Sequence, residues 1–366
     1  MKITVYAIAK NEEKFVDRWV ESMSEADEIV VLDTGSEDET VSKLKSRNVK
    51  VTEKRITPWR FDTARNLSLE LVSNDTDICV CTDLDEVFHE GWRKSLEEQW
   101  KEGTTQAKYR YTWSFNPDGS EGVVFWAEKI HSRNGYKWTH PVHEILERTD
   151  KSAISNIITL EGVQLDHRPD VEKSRGQYLE LLELSVAEDP NDDRNMHYLG
   201  REYMYKEMWD KCIETLKVHL CMPSATWADE RAASMRYIAR SYLMKNDIEK
   251  SKLWYMQAIV QAPHLREPYI DLSKLLFAQK DWEGAAYFIN QALRIKERPQ
   301  TYISESDSWG SLPYDLLSVS YYNTNRPFEA LKAAKLAEKM SPYDARIKNN
   351  VKIIEKILRK QEKNVI

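Results

Sequence analysis

The apolar run Ile78-Cys79-Val80-Cys81 breaks, after Thr82, into Asp83-Leu84-Asp85-Glu86. A run of that length reads as a short buried strand, and acids at its carboxyl end stand where open α/β sheets take up ligands. Carboxylates there suit a divalent cation such as Mg2+ or Mn2+. Taken alone, the same residues are also those of a solvated acidic turn. Other candidates lie elsewhere in the first half. Asp33 ends a second apolar run, Glu28-Ile29-Val30-Val31-Leu32. Arg65 and Asn66 fall in the first turns of a helix predicted from Ala64 to Val72, where the helix dipole favours an anion over a cation. An Arg in that place points to an anionic ligand nearby, such as a pyrophosphate. Glu144 closes a segment rich in imidazoles and aromatic rings (His131, Tyr136, Trp138, His140, His143). A carboxylate beside an apolar wall has its pKa raised toward the range of a useful general base, which makes Glu144 the candidate base. His143 either positions a ligand or the base, or is a hydrogen-bonded structural histidine.

The elements that must hold these residues follow from periodicity. Lys2 to Ala9 alternates as a strand, Asn11-Glu12-Glu13 breaks it, and Phe15, Val16, Trp19, Val20 and Met23 recur at helical spacing. After the strand ending at Asp33, Thr34 to Thr40 reads as a glycine turn with Ser36 as N-cap and Glu39 completing a capping box, followed by a helix through Ser46. Val49 to Glu53 is a third strand. Asp62 either caps the next helix or contributes to the site. Strands alternating with helices predict a parallel, doubly wound sheet. Trp92 to Trp100 reads as a helix ending near Gly103. Ala107 to Phe115 and Val123 to Trp126 form an antiparallel hairpin around Asn116-Pro117-Asp118-Gly119-Ser120. Its aromatic residues (Tyr109, Tyr111, Trp113, Phe115, Phe125, Trp126) are either core or a wall that grips an acceptor. A last strand, Gly162 to Leu165, leads to Asp166-His167-Arg168, and Pro169 marks the domain end.

These pieces together resemble a family 2-type glycosyltransferase of the GT-A fold, an α/β, Rossmann-like mixed sheet. The carriers are Ala-Ile-Ala-Lys-Asn-Glu-Glu at 7–13, Val-Val-Leu-Asp-Thr-Gly-Ser-Glu-Asp-Glu-Thr at 30–40, Phe-Asp-Thr-Ala-Arg-Asn at 61–66 and Asp-Leu-Asp-Glu at 83–86. Ala7 to Lys10 departs from the Pro-x-Tyr that many relatives carry before the Asn. The resemblance implies a UDP-sugar donor and Mn2+ or Mg2+. It places Ala9, Asn11, Glu12 and His143 near the donor, Asp33 on the base, Asp83 on the ribose or metal, and Arg65 toward the phosphates. Asp85 and His167 become metal ligands, and Pro141-Val142-His143-Glu144 matches the end of a segment that supports Glu144 as base. His167 is otherwise a surface histidine after a strand. Trp113 and Trp138 are candidates for acceptor contact, and Glu86 for a rim position that orients the sugar.

From about residue 171 strand signals give way to helical periodicity. Gly200, Ala239, Ser273 and Ser318 align, followed three residues on by Tyr203, Tyr242, Leu276 and Tyr321, and twelve on by Cys212, Ser251, Ala285 and Ala330. The intervals of 39, 34 and 45 residues resemble tetratricopeptide repeats, paired helices stacked into an all-α solenoid. Arg298 to Pro313 reads as a loop, and Lys352 to Lys363 as a capping helix. The expected domains are 1–170 and 171–366. Such an array binds a peptide or protein, or pairs with itself in a homodimer.

Composition narrows the classes. Net charge is −7. Residues 1–170 hold 23 Lys and Arg against 32 Asp and Glu, so the first half lacks the positive footprint of a duplex-binding protein. No apolar run reaches the ~18 residues of a membrane span, and the start lacks a signal-peptide pattern. Four cysteines without a Cys-x-x-Cys pair argue against zinc and fit a reducing cytoplasm. The two halves together resemble the peptide glycosyltransferases of glycosylated bacteriocin biosynthesis, which modify Cys or Ser side chains. That implies inverting, metal-dependent transfer of a hexose from a UDP-sugar to a peptide or protein side chain. A surface glycan or lipid-linked acceptor is the alternative enzyme reading, and a non-catalytic helical scaffold the alternative from another class.

Overall fold

A computed structural model describes residues 1–116, 118–170 and 178–364. Contacts divide the chain into two compact units, Met1–Glu188 with Gln300–Tyr302, and Asp189–Pro299 with Ile303–Ile366. The expected boundary adjoins residues 171–177, which lie outside the described residues, as does Pro117 of the expected hairpin turn.

In the first unit, β1 (Ile3–Ala9), β2 (Glu28–Asp33), β3 (Lys50–Glu53) and β4 (Ile78–Cys81) run parallel in the order β3-β2-β1-β4. They are linked through α1 (Val16–Met23), α2 (Thr40–Ser46) and α3 (Phe61–Glu70). Beyond β4 the sheet becomes mixed. β5 (Glu86–Phe88), β6 (Gln106–Thr112), β7 (Val124–Ser132) and β10 (Ile157–His167) extend it as β4-β7-β6-β10-β5, with β7 and β5 antiparallel to their neighbours. The wholly parallel sheet therefore holds for four strands of eight. β8 (Tyr136–Thr139) and β9 (Ile145–Arg148) form a separate hairpin. α4 (Trp92–Gln99) and α5 (Tyr178–Glu188) complete the unit. β5, β8 and β9, of three, four and four residues, lack the length that would reveal them in sequence.

Core packing explains the arrangement. Residues of β1 and β4 are buried on both faces, as central strands demand. On one face Trp19, Met23, Trp92, Leu96, Tyr109 and Leu165 pack with Ile3, Val5 and Val80. On the other, Tyr6, Val30, Leu69, Cys79, Cys81 and Trp138 form a second cluster. Cys79 and Cys81 share that face, as their spacing requires, and burial pushes their thiols up to about 12 and about 11. One capping expectation fails. Ser36 turns back to the Asp33 carboxylate instead of capping, and the helix starts at Thr40, whose N–H is accepted by Asp38 Oδ1 at 3.0 Å.

The second unit pairs α6 (Asp193–Tyr205) with α7 (Trp209–Cys221), α8 (Ala228–Met244) with α9 (Ile248–Gln261), α10 (Glu267–Ala278) with α11 (Trp282–Arg294), and α12 (Leu312–Asn323) with α13 (Pro327–Met340). It ends in α14 (Ala345–Asn364). Glu207, Asn246, Lys280 and Asn325 turn each pair in the left-handed region, with φ of 59°, 61°, 61° and 58°. They repeat the 39, 34 and 45 residue intervals read from sequence. Cys212, Ser251, Ala285 and Ala330 are fully buried, as contact points between paired helices require. This is an all-helical, tetratricopeptide-like region. Among the described residues no helix is long and apolar enough to cross a membrane.

Candidate active site

Parallel pairing sets the carboxyl ends of β1 and β2 side by side, Ala9 opposite Asp33. The loops that follow are tied together. Ala9 O accepts from Thr34 N at 2.8 Å and Thr34 Oγ1 at 3.0 Å. Asn11, with φ 55°, donates from its N–H to Ser36 Oγ and accepts from Glu37 N through Oδ1, both at 2.8 Å. Glu12 N reaches Thr40 Oγ1 at 2.7 Å. The Asp33 carboxylate accepts from Gly35 N and Ser36 N at 2.9 Å and from the Ser36 hydroxyl. Ala9, Asn11, Glu12 and Asp33 are thus brought together, and Asp33, only 1% exposed, shapes the turn.

Arg65 joins Asp83, after β4, to Glu144. Its guanidinium donates from Nη2 to Asp83 Oδ1 and Oδ2 at 2.9 and 3.2 Å, from Nη1 to Cys81 Sγ at 3.3 Å, and from Nε to Glu144 Oε1. The anion its position asks for is supplied by the chain's own carboxylates. The Trp138 ring lies 5.2 Å from the guanidinium carbon. Burial would lower the Arg65 pKa, but Asp83 and Glu144 outweigh it and hold the side chain cationic. Glu144 is placed by Asn66, whose amide pairs with both backbone groups of Trp138 at 2.8 Å, and by Phe61 N donating to Pro141 O at 2.9 Å. The segment between β8 and β9 needs left-handed backbone at His140 (φ 75°) and His143 (φ 53°). The His143 ring tilts against Tyr178 at 5.8 Å.

Lys129, Tyr111 and Glu86 complete a network that sequence reasoning did not assemble. Lys129 Nζ contacts Asp83 Oδ2 at 3.1 Å and Glu86 Oε1 at 2.8 Å. Tyr111 Oη donates to Glu86 Oε1 at 2.8 Å, and Glu86 Oε2 accepts from Asp83 N at 2.9 Å. Glu86 is 1% exposed; it braces the acid loop from within and is not a rim residue. Burial first, and Asp83 next to it, push its pKa up against the pull of Lys129. Asp83 goes the other way: burial is outweighed by Arg65 and Lys129, which hold it ionised below the usual carboxylate range. A register shift gives β7 one extra residue against β6 between Ala127 and Ile130, and such a bulge re-aims side chains. The available signal was a lysine set between the apolar residues Val124–Ala127 and Ile130, next to Glu128.

His167 reaches the acid loop through strand pairing. β5 follows the acids directly and pairs with β10, setting His167 opposite Glu86, and Arg168 N donates to Asp85 O at 2.7 Å. His167 Nδ1 lies 2.9 Å from Trp113 O, so it donates there, and Nε2 pairs with Asp85 Oδ2 at 3.3 Å; burial would lower the imidazole pKa, but Asp85 outweighs it and raises it. A ring oriented by a carbonyl behind it, with a carboxylate beside its other nitrogen, is an arrangement that fits a divalent cation once that nitrogen gives up its proton. Asp83, Glu86 and Glu144 face Arg65 and Lys129, while Asp85 has His167 beside it and lies in the field of Arg18. Asp83 already has both oxygens engaged by cations, so Asp85 is the more open ligand. Trp113 stacks on His167 at 4.4 Å and remains 38% exposed. Trp138, proposed for acceptor contact, is instead 4% exposed in the core, with Nε1 donating to Tyr6 Oη at 2.9 Å.

Residues 4–146 match the glycosyl transferase family 2 model; His167 lies past that stretch. Among solved structures, the chain is similar to MamA, at 17% identity and TM-score 0.37 over 46% of this chain and 89% of that one. It is also similar to a chain of the APC/C hetero-tetramer Cut9-Hcn1, at 13% and 0.40 over 51% and 33%. A third is the C-terminal part of a TPR repeat-containing protein from Cytophaga hutchinsonii, at 12% and 0.38 over 46% and 60%. The family match covers Asp33, Arg65, Asp83, Asp85 and Glu144, and the chain is a glycosyltransferase, with a family 2 domain followed by a tetratricopeptide-like helical region.

Proposed function

We propose that the enzyme transfers a hexose from a UDP-sugar to a peptide or protein side chain by single displacement with inversion, with Mn2+ or Mg2+ bound. The observation that carries the metal part is the Asp85–His167 pair, with its Nδ1 oriented by Trp113 O. Asp85 and His167 would hold the ion, which when bound offsets charge on the departing diphosphate. The chain's own residues do the remaining work. Asp33, with Ala9, Asn11 and Glu12, frames the nucleoside. Asp83, held ionised by Arg65 and Lys129, offers acceptor oxygens to the ribose. Arg65 lies between Asp83 and Glu144 and brings positive charge toward the phosphates. Glu144 takes the acceptor proton at Oε2, since Oε1 accepts from Arg65. The UDP donor rests on the family resemblance. A peptide acceptor is supported by the helical region, a type of surface that suits extended ligands. Three buried cysteines and one exposed, all free, suit a cytoplasmic setting.

The test uses the full chain with Mn2+ and a panel of nucleotide sugars. Slow release of UDP from one UDP-hexose, stopped by EDTA, is expected, together with a mass gain of one hexose on Ser- or Cys-bearing peptides. Release from none of the panel overturns the proposal. Glu144→Gln is expected to slow transfer to a hydroxyl by ~10²–10⁴-fold, and a thiol acceptor less, because a thiol needs the base less. Unchanged transfer to a hydroxyl removes Glu144 from that role. The exposed Trp113 ring favours a second reading, a saccharide acceptor stacked on the indole. Products on a glycan array with none on peptides would replace the first reading by that one.

A further inference from the structure

We infer that the last two helices of the array, α13 and α14, form a docking surface for a bilayer carrying anionic phospholipid headgroups. The chain as a whole has a net charge of −7, but residues 327–360 hold 9 Lys and Arg against 4 Asp and Glu. All nine cations are exposed. Lys335 pairs with Glu355 at 2.9 Å, and Arg346 with Asp315 at 2.9 Å. Lys332, Lys339, Lys348, Lys352 and Lys356 form no ion pair among the described residues. A local excess of unpaired cations in an otherwise acidic chain complements an anionic surface.

Packing turns those cations outward. α14 spends its apolar stripe on the array, where Val351, Ile354 and Leu358 bury against Ala330 and Ala334 of α13. Its exposed side carries Lys348, Lys352, Lys356 and Lys360, each four residues after the last. On α13, Lys332, Lys335 and Lys339 recur at the spacing of one helix face, opposite the buried Ala330, Ala333, Ala334 and Ala337. The two rows meet. A shallow groove of about 740 Å³ between the helices is lined by Lys335, Lys339, Lys348 and Lys352, together with Glu338 and Glu355. Like charges four residues apart destabilise a helix, and a facing layer of phosphates turns that repulsion into attraction.

Two features favour a bilayer over an acidic protein segment. The cations are spread, not convergent: Lys348 to Lys360 alone spans ~18 Å of helix. Large apolar side chains also stand among them. Tyr343, in the turn between the helices, is 91% exposed and Phe328 67%, and Met340 and Ile353 are exposed as well. An interface of headgroups and acyl chains takes both kinds of side chain, whereas an acidic peptide matches only the lysines. This binding depends on neither the donor nor the acceptor proposed above.

The experiment sediments the full chain with vesicles of phosphatidylglycerol and phosphatidylcholine in equal parts, and with phosphatidylcholine alone. Binding to the first and not to the second is expected, weakening as salt is raised. Lys339→Gln, Lys348→Gln and Lys352→Gln are each expected to weaken binding ~5-fold, and the three together ~100-fold. Tyr343→Ala should weaken it without altering its salt dependence. Lys94→Gln, Lys101→Gln and Lys151→Gln combined, at three exposed lysines of the first unit, should bind as the parent does. All these side chains are exposed, and an unchanged Tm shows that each variant is folded. No binding to the mixed vesicles at low salt overturns the inference. So does an equal loss in the first-unit triple variant, or parent-like binding by the Lys339, Lys348 and Lys352 triple variant. Capture of polyglutamate without vesicle binding gives the surface to an acidic protein segment and overturns it too.

Discussion

Trp138, Tyr6 and His131 show how single side chains in the first unit are fixed. Trp138 Nε1 donates to Tyr6 Oη, Tyr6 Oη lies 2.8 Å from His131 Nε2, and His131 Nδ1 lies 2.8 Å from Ser132 O. With Nδ1–H donated to the carbonyl, Nε2 accepts from the tyrosine, and the neutral imidazole satisfies every member of the chain. Burial, only partly opposed by the Ser132 carbonyl, pushes the His131 pKa down to about 4. In the unfolded chain it returns to ~6.5. Between these values the unfolded state takes up a proton that the native state refuses, so stability rises with pH across the window and is lost on acidification. The full effect is about 3 kcal/mol. Urea denaturation from pH 7 to pH 4 should show it, and His131→Gln, which does not titrate, should show a shallower slope. Parallel slopes would remove His131 as the cause.

Elements transmit these constraints to the site. Asn66 on α3 replaces a strand neighbour for β8 by pairing with both backbone groups of Trp138, and the chain from β8 carries Glu144 to Arg65. Asn66→Ala leaves a buried N–H and C=O without partners, so a loss of about 1–3 kcal/mol is expected, together with lower kcat from a displaced Glu144. Normal kcat in the folded variant would mean that other contacts place Glu144. In the helical region, a Cβ on Gly200 would meet Leu216 Cδ2 at 2.3 Å and Cγ at 2.4 Å, and Leu216 is fully buried. Gly200→Ala should therefore destabilise by about 1–3 kcal/mol. At the equivalent place in the last pair, Ser318 Oγ is buried without a hydrogen bond, so Ser318→Ala should be neutral or stabilising. Thermal unfolding of both variants tests the contrast.

At the scale of the whole chain, two kinds of surface are assigned two ligands. Hydrogen exchange separates them. UDP with Mn2+ should slow exchange in the loops after β1, β2 and β4, around Asn11, Ser36 and Asp85, because those loops carry the site while the strands beneath are already protected. A peptide acceptor should slow exchange in helices of the array. Peptide protection confined to the first unit would assign acceptor binding to that domain alone and leave the array without the role proposed for it.

The sequence alone determined the local order of elements in the first half and the repeat in the second. Both follow from short-range periodicity: apolar runs ending in Asp33 and Asp83, and small residues at Gly200, Ala239, Ser273 and Ser318 ahead of left-handed turns. It also supplied the acids and the histidine of the candidate site, and the arginine in the first turns of a helix. What it did not contain was their partnership. Lys129 enters through a bulge, Glu86 turns inward, and Arg65 spends its donors on Asp83, Cys81 and Glu144. His167 reaches Asp85 because a three-residue strand pairs with one formed about eighty residues later. These pairings depend on sheet order and register, which join residues far apart in the chain, and only tertiary packing decides them.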